Sequence, residues 1–529
     1  MSPKKITPPT AGSSFSMLSH ADAIFDAATL QKSWEILGVI HRYRTSTPDG
    51  TTDRSDEGSL KFLSMICPVQ LILPAFPFKS PNRKHKTLGA LPDKGEELAL
   101  AHLNGLCAAI TDIYEPGAIL TIASDGLVYS DLLGVSDAEV YAYGEALRRL
   151  VHTQGCKNIQ FVRLRNLLHW HEDTPLDATT YERLANDFRQ RLIDTFTPLD
   201  YDVASSIKTD GDVCATYRGY IKFLAKDLEH TFVEGERSKK SHKQHISDIA
   251  KAMIGRGKAF AEAIQKTFPQ HVRLSIHPSC GSTKLPIHVL PQARNLITPW
   301  HSAPCFTVDG RMEYSMRERF DASEDIERVS RNGQPWYYRF KSDLYSWSPS
   351  VELEPLYPCG LLIRPTQPTS AQELPMGPLR ELAQQNSPLV LRGFDDTKDK
   401  ELFVTKAEEM GTPLPWKFGL ILEVKDHGTD TQGLNNVLSS EWMPFHYDGL
   451  FKIQKGKDAE GKDISLSFPP NPSPKDTGFT LFSPSHLVWH YLPAGYTVEQ
   501  LEKLRWTVET TSFDQSRSAR LAVYSEYLR

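Results

Sequence analysis

Three polar side chains follow the first strongly apolar run of the sequence, in a segment that proline makes stiff. The run Val69–Leu73 stops at Pro74, and further prolines interrupt the residues beyond it. Lys79 offers a point charge for a phosphate or a carboxylate, while Ser80 and Asn82 offer short hydrogen-bonding groups. A stiff loop can hold these groups in fixed positions above the edge of a sheet. The alternative is an irregular surface loop whose polar groups are solvated.

A second set of polar groups follows the apolar run Ala118–Ala123. Ser124, Asp125 and Gly126 come directly after it. Asp125 can accept a proton or bind the amine of a substrate, and Gly126 permits a tight turn with close approach of a ligand. The tripeptide is also a common turn sequence, so both interpretations stay open.

A later apolar run carries polar residues on one of its two faces. Alternation along a strand places Arg273, Ser275 and His277 on the same side. Such a row is unusual in a central strand, because buried polar groups must be paired. It suits anion binding combined with proton transfer, for which histidine is the natural carrier near neutral pH. Lys284 and His301 follow as further candidates, although a single histidine is more often structural.

Near the C-terminus, one residue separates His446 from Asp448. Two side chains at this spacing on an extended strand point to the same side. One imidazole and one carboxylate so placed supply two of the three ligands of a 2-His-1-carboxylate site for non-haem Fe(II). The pair also occurs by chance in many proteins, so its surroundings must support a metal site.

Strands that alternate with helices are predicted to position these groups. The runs that predict strands are Val69–Leu73, Ala118–Ala123, Ile159–Leu164 and Val272–Ile276. The amphipathic stretches that predict helices are Asp22–Ile40, Glu96–Tyr114, Tyr181–Phe196, Thr216–Phe232 and His245–Phe268. This alternation predicts an α/β fold with a mostly parallel sheet and helices on its faces. Ligands of such sheets bind at the carboxyl ends of the strands, where the polar groups above are expected to meet.

The length of 529 residues exceeds what one ordinary core organises. We predict a disordered N-terminus over 1–20 and a first domain over 21–348. Closely spaced prolines predict a linker over 349–378, and a second domain is predicted over 379–529.

Composition excludes several classes of protein. Lys and Arg total 60 against 65 for Asp and Glu, so the net charge of −5 argues against a globally basic nucleic-acid binder. The sequence contains neither an apolar run long enough to span a membrane nor an N-terminal secretory signal. The 7 cysteines are scattered without a CxxC pair, which is typical of buried thiols in a reducing cytoplasm. The lack of GxGxxG and GxSxG argues against a dinucleotide-dependent dehydrogenase and a serine hydrolase.

Six long motifs of the first domain carry a family resemblance. They are PAFPFKSPN at Pro74–Asn82, LPDKGEELAL at Leu91–Leu100, PGAILTIASDG at Pro116–Gly126, YRGYIKFLAKDL at Tyr217–Leu228, VRLSIHPS at Val272–Ser279 and TPWH at Thr298–His301. In this order they resemble the pyoverdine/dityrosine biosynthesis proteins, which include the isocyanide synthases. The resemblance extends from about Asp22 to Pro365 and implies a Rossmann-like α/β domain.

The resemblance also implies a reaction. The α-amine of an amino acid attacks the ketone of ribulose 5-phosphate, and the adduct fragments to leave an isocyanide. Tyrosine is the expected amino acid, with valine and leucine left open, and this domain is expected to need no cofactor. The candidate catalytic residues are Lys79, Asp125 and His277. The candidate substrate-binding residues are Ser80, Asn82, Ser124, Arg218, Arg273, Ser275, Lys284 and His301.

The second domain resembles the TauD/TfdA-like dioxygenases through Pro388–Phe394, Gly478–Phe482 and the His-x-Asp pair. The resemblance implies a double-stranded β-helix, a jelly roll, in which His446 and Asp448 bind Fe(II) and Thr480 contacts 2-oxoglutarate. No third histidine stands at the family's usual distance, so we expect a partial, truncated domain. In related fungal fusions of the xanthocillin type, the oxygenase converts the isocyano amino acid to a vinyl isocyanide.

Two alternatives stay open from the sequence. One is an enzyme that makes N-formyl-tyrosine for spore-wall dityrosine, and the other is a non-catalytic binding protein. Convergence of Lys79, Asp125, Arg273 and His277 on one pocket would favour an enzyme. The expected partners are the two small-molecule substrates and other enzymes of the same pathway, with neither nucleic acid nor membrane.

Overall fold

The first predicted strand lies at the centre of a five-stranded sheet in a computed structural model of the protein. The structure describes residues 27–45, 68–124, 126–170, 176–231, 238–277, 284–291, 297–345, 350–413, 419–421, 497 and 500. These residues belong to two units, one made of 1–307 with 312–340 and the other of 308–311 with 341–529. The N-terminus predicted to be disordered, 1–20, lies outside the described residues.

The central sheet of the first unit is parallel throughout. Its strands are β1 (Val69–Pro74), β2 (Ala118–Ala123), β3 (Ile159–Val162), β4 (Val272–Ser275) and β5 (Leu285–Pro286), in the order β3-β2-β1-β4-β5. The predicted parallel α/β sheet is therefore confirmed. The chain runs outward from β1 in one direction through β2 and β3, and returns on the other side of β1 with β4. Such a reversal leaves a crevice beyond the carboxyl ends of β1 and β4, which is where open α/β sheets bind ligands.

Helices cover both faces of this sheet. They are α1 (Ala27–Arg42), α2 (Lys94–Thr111), α3 (Gly126–Tyr129), α4 (Asp137–Thr153), α5 (Leu164–Leu167), α6 (Ala178–Phe196), α7 (Val203–Thr209), α8 (Gly211–Asp227) and α9 (Lys239–Thr267). Side chains of Asp93, Ser136, Asp177, Asp210 and Ser238 cap helix N-termini, as the preference for short polar residues at that position predicts. The apolar faces of α6, α8 and α9 share one buried core with residues of β1 and β2.

A second, mixed sheet completes the first unit, and the sequence did not predict it. It contains β6 (Ala303–Phe306), β7 (Met312–Ser315), β8 (Ile326–Arg331) and β9 (Gln334–Phe340) in the order β7-β6-β9-β8, and helix α10 (Arg317–Asp321) follows β7. β6 and β7 have four residues each, and charged residues interrupt β8, so no long apolar run or clean alternation marks this sheet.

The described part of the second unit differs from the proline-rich linker predicted over 349–378. Strands β10 (Val351–Pro355) and β11 (Leu361–Pro365) lie within that range and form a three-stranded sheet with β12 (Leu389–Leu391). Helix α11 (Met376–Gln385) lies between β11 and β12 in the chain, and helix α12 (Lys400–Met410) follows β12. Several prolines stand at the ends of these elements, where proline is tolerated. In this range they therefore mark the ends of strands and helices and do not indicate a linker.

Most residues that carry the predicted jelly roll lie outside the described residues. His446, Asp448 and Thr480 all lie outside the described residues, so the dioxygenase domain stays a prediction. Within the described ranges, no three His, Cys, Asp or Glu side chains group as metal ligands would. None of the described helices combines the length and apolar character needed to cross a membrane.

Candidate active site

The loop after β1 is fastened to a turn that lies far away in sequence. Phe76 has a φ of 55°, is fully buried, and packs its ring 5.0 Å from that of Trp300. The backbone N–H of Ser80 donates to the carbonyl oxygen of Trp300 at 2.9 Å. A non-glycine residue with positive φ is strained, and such strain persists only where the surrounding structure over-determines it. The loop therefore has a fixed conformation above the carboxyl end of β1.

The helix after β2 presses against the same loop. A Cβ on Gly126 would lie 2.5 Å from the carbonyl oxygen of Pro77 and 2.6 Å from Cγ1 of Val140. Only glycine allows the backbone of α3 to approach so closely. Gly126 was predicted to allow close approach of a ligand, and in the structure it allows close approach of the loop after β1.

Lys79 lies at the centre of a buried ionic cluster. Its Nζ is 2.7 Å from Asp93 Oδ2 and 2.7 Å from Glu96 Oε2, and it donates to the carbonyl oxygen of Pro299 at 2.9 Å. Glu96 also accepts from the hydroxyl of Tyr143 at 3.0 Å. An ammonium has three N–H donors, so these partners use all of them. In this structure Lys79 holds the loop to α2, and it offers no donor to a substrate.

The pKa values of this cluster reflect two carboxyl groups around one cation. Burial acts against the charge of Lys79, yet attraction to Asp93 and Glu96 outweighs it and raises the pKa of Lys79. Burial raises the pKa of Asp93 to about 8, although Lys79 acts in the opposite direction. We refer to Lys79, Asp93 and Glu96 as the closed cluster.

A second ionic cluster surrounds Asp227, the last residue of α8. Its Oδ1 accepts from Ser80 Oγ at 2.9 Å and from Lys86 Nζ, and its Oδ2 lies 3.3 Å from His301 Nδ1. Lys86 Nζ is also 3.5 Å from His301 Nδ1. Burial alone would raise the pKa of Asp227, but the contacts with His301 and Lys86 outweigh it and hold the pKa well below its ordinary value. We refer to Lys86, Asp227 and His301 as the open cluster, because the His301 side chain keeps 29% of its surface exposed.

Burial lowers the pKa of two histidines in this region. Burial lowers the pKa of His277 to about 4, and electrostatic interactions with Lys284 and His301 add to the shift. Burial also lowers the pKa of His301; Asp227 opposes this change and Lys86 adds to it. Each of these electrostatic effects requires the groups to lie near one another, so His277, His301 and Lys284 share one neighbourhood.

One face of α8 lines this neighbourhood. Tyr220, Phe223 and Asp227 follow one another at helical spacings of three and four residues. The ring of Tyr220 lies 5.9 Å from that of His277, and the ring of Phe223 lies 5.2 Å from that of His301. Tyr220 and Phe223 also touch each other edge to face at 5.5 Å. The two histidines are therefore linked through a short row of aromatic rings.

Several predicted residues shape the site through local contacts. Asn82 is buried and donates through Nδ2 to the carbonyl oxygen of Lys226 at 2.6 Å, which ties the loop to α8. Ser275 Oγ accepts from the backbone N–H of His277 and donates to its carbonyl oxygen, both at 3.1 Å. The backbone N–H of Ser124 donates to Val162 at 3.1 Å.

The remaining predicted residues lie at the edge of the site or outside the described residues. Arg273 is half-buried on β4, next to β1, whereas Arg218 lies exposed on α8. Asp125 lies outside the described residues, so its predicted proton transfer stays a prediction. Ser80 and His301 meet at one carboxylate, whereas Lys79 is enclosed in the closed cluster, and the convergence of Lys79, Asp125, Arg273 and His277 on one pocket stays a prediction.

Sequence reasoning did not single out Lys86, Asp93, Glu96 or Asp227. Asp93 and Glu96 stand in the motif LPDKGEELAL, and Asp227 stands in YRGYIKFLAKDL, both of which carried the family resemblance. A carboxylate at the end of an otherwise apolar helix face was the signal for Asp227, because a buried acid must be paired.

Comparison with known proteins agrees with this geometry. Residues 60–329 match the model of the pyoverdine/dityrosine biosynthesis protein family. The chain belongs to this family. It is 44% identical over 511 residues to the isocyanide synthase xanB of Aspergillus fumigatus, covering 90% of this chain and 66% of that protein. It is 33% identical over 510 residues to isocyanide synthase A of the same organism, covering 92% of this chain and 80% of that protein.

A solved structure confirms the fold of the first unit. The crystal structure of the PvcA protein from Pseudomonas aeruginosa matches with a TM-score of 0.52 and 28% identity. The match covers 58% of this chain and 99% of that one. The α/β fold with its mostly parallel sheet is therefore a property of the family, and the chain continues well beyond what the family's structure covers.

Proposed function

We propose that this chain is an isocyanide synthase, which converts the α-amine of an amino acid to an isocyanide with ribulose 5-phosphate as carbon donor. The observation that carries the proposal is the position of His277 and the open cluster beside the carboxyl ends of β1 and β4. Open α/β sheets bind their ligands in the crevice at this edge. The family membership and the similarity to two isocyanide synthases support the same activity.

The first requirement of this reaction is a base. An amino acid carries its amine as an ammonium near neutral pH, and it must lose a proton before nitrogen can attack a ketone. The His301 ring faces Asp227 through Nδ1 and its pKa is lowered, so we assign Nε2 to accept that proton. Asp227 then stabilises the imidazolium that forms, as a carboxylate does when it orients a catalytic histidine. His277 also has a lowered pKa and supplies a second group for proton transfer in the fragmentation steps.

The second requirement is a set of cationic side chains that bind the anionic groups of the substrates. Lys284 lies close enough to His277 to depress its pKa, and Arg273 stands on the adjoining strand β4. We assign these cations to the carboxylate of the amino acid or to the phosphate of the sugar. Lys86 is held by Asp227, and its charge acts with burial to lower the pKa of His301.

The aromatic row on α8 supports an aromatic amino acid. Phe223 is half-buried beside His301, so its ring can pack against the side chain of a substrate whose amine reaches that histidine. Aromatic rings favour such offset or edge-to-face contacts. Tyrosine is therefore the proposed substrate, and Phe223→Ala is expected to weaken its binding more than that of valine.

Incubation of the purified full chain with tyrosine and ¹³C-labelled ribulose 5-phosphate, followed by mass spectrometry, tests the proposal. The isocyanide must carry one labelled carbon on the amino nitrogen. A formamide, the product of the spore-wall alternative, would be heavier by one molecule of water. His301→Ala and His277→Ala should each lower the rate by roughly 10²–10⁴-fold, as expected for loss of a general acid or base.

His152→Ala is the matched control, because His152 is exposed near the end of α4. It should retain the rate of the unmodified protein. Absence of labelled product with any amino acid, under conditions where the protein is folded, would refute the proposal and favour a binding role.

The C-terminal oxygenase activity is a separate proposal that rests on the resemblance alone. Addition of Fe(II) and 2-oxoglutarate to the isocyanide product should release CO₂, and His446→Ala should abolish that release while leaving isocyanide formation intact. If CO₂ release is the same with and without the substitution, the predicted iron site is wrong.

A further inference from the structure

Two arginines meet at the carboxyl end of β3, and neither belongs to the closed cluster or to the open cluster. Arg163 follows the last residue of β3, and Arg148 comes from the neighbouring helix α4. The guanidinium of Arg163 lies 5.2 Å from the ring of Tyr141 and 5.7 Å from that of Tyr181. The guanidinium of Arg148 lies 5.3 Å from the ring of Phe161. The aromatic faces hold both cations in place through cation–π contact.

The charges of this pair are not balanced. Both guanidinium groups bind the same carboxylate, Glu145, and no other described carboxylate lies within ion-pair distance of either one. Their side chains keep 29% and 18% of their surface exposed, so an ion from solvent can reach them. Burial, with the nearby charge of Arg163, lowers the pKa of Arg148 to about 10. One net positive charge is therefore held in a partly desolvated position.

A helical glycine makes room for this arrangement. A Cβ on Gly144 would lie 3.2 Å from Nη1 of Arg148, closer than an ordinary van der Waals contact. Glycine inside a helix costs about 1 kcal/mol relative to alanine. Gly144 therefore stands at a helical position that glycine disfavours, next to the guanidinium group of Arg148.

We propose that Arg148 and Arg163 form a binding site for a phosphate monoester. A guanidinium group can donate two parallel N–H hydrogen bonds to the oxygens of a phosphate. Among the described residues, Glu145 is the only hydrogen-bond acceptor of either guanidinium group. The three aromatic rings fix both groups in advance, so binding needs little ordering of the side chains. The phosphate belongs either to the sugar phosphate of the reaction, which rests on the proposed function, or to a separate metabolite.

Thermal unfolding of the full chain in inorganic phosphate, compared with chloride at equal ionic strength, tests the site directly. Phosphate should raise the unfolding temperature of the unmodified protein, and Arg163→Gln or Arg148→Gln should bind it roughly ten-fold or more weakly. Arg149→Gln is the matched control, since Arg149 is the exposed neighbour of Arg148 on the same helix. It should keep the full response to phosphate.

Steady-state kinetics then distinguish the two sources of the phosphate. A rise in the KM for ribulose 5-phosphate with an unchanged kcat in Arg163→Gln assigns the site to the substrate. An unchanged KM together with lost phosphate binding assigns it to a separate metabolite. The inference is overturned if phosphate has no effect beyond that of chloride, or if both glutamine variants respond as the unmodified protein does. Neither result affects the histidine tests, so failure here is distinguishable from failure of the proposed function.

Discussion

Two buried lysines on the same loop region, Lys79 and Lys86, have different surroundings. Lys79 is enclosed by Asp93, Glu96 and a carbonyl oxygen, and none of these partners reaches solvent. Lys86 shares one carboxylate with a serine and with His301, whose ring is partly exposed. The same kinds of residue therefore form a fully buried cluster in one place and a cluster with a partly exposed histidine in the other. The two clusters differ in solvent access: the His301 side chain is partly exposed, whereas the side chains of Lys79, Asp93 and Glu96 are buried.

The largest expected effect is on the free energy of unfolding, when Lys79 is removed from the closed cluster. Lys79→Met removes the cation and leaves two buried carboxyl groups without a partner, which is expected to cost about 3–5 kcal/mol in the free energy of unfolding. Urea unfolding measures the change. Lys84→Met, at an exposed position of the same segment, should change stability little. Unaltered stability with lost activity in Lys79→Met would instead show that Lys79 contacts the substrate.

The open cluster is expected to respond in rate as well as in stability, because Asp227 is also the carboxylate partner of the buried Lys86. Asp227→Asn removes the charge that orients His301 and anchors Lys86, so kcat should fall by roughly 10²–10⁴-fold. The acid limb of the pH–rate profile should also move, since Asp227 acts to raise the pKa of His301. Asp187→Asn, on the exposed side of α6, is the control. A variant that keeps its rate and pH profile would place Asp227 among purely structural residues.

The pH dependence of stability sharpens the same contrast. The pKa of His277 falls from an ordinary 6.5 to about 4 in the folded protein. Between these values the unfolded chain binds a proton that the folded protein excludes, so stability decreases as the pH falls from 6.5 towards 4. His277→Gln should make the free energy of unfolding less dependent on pH in this window. An identical slope in the variant and the unmodified protein would contradict the lowered pKa.

The smallest expected effect concerns Ser80, which joins the two clusters. It follows Lys79 directly and donates to Asp227. Ser80→Ala should cost about 1 kcal/mol in stability, the typical net value of one hydrogen bond, and lower the rate only a few-fold. Ser205→Ala, at an exposed position of α7, provides the comparison. A rate loss as large as that of Asp227→Asn would show that the serine hydroxyl takes part in the chemistry.

Much of the first unit follows from local patterns in the sequence. β-branched apolar runs predicted β1, β2, β3 and β4 within a few residues, and amphipathic periodicity predicted the long helices. The polar residues after β1 and β4 were predicted to meet because the carboxyl ends of parallel strands lie on one edge, and the contacts of Ser80 run to Asp227 on α8. The short strands of the second sheet and those between the prolines were missed, because they carry no local pattern of comparable strength.

The sequence by itself determined the family, the parallel sheet and the histidines beside its edge. The tertiary structure alone decided which charged groups are available for chemistry. Lys79 reaches its carbonyl partner across 220 residues, and Lys86 reaches Asp227 across 141. A sequence shows that a lysine is present, but its three donors are used or left free only once distant segments pack around it. The physical reason is that burial makes every unpaired charge costly, and pairing is a property of the folded neighbourhood.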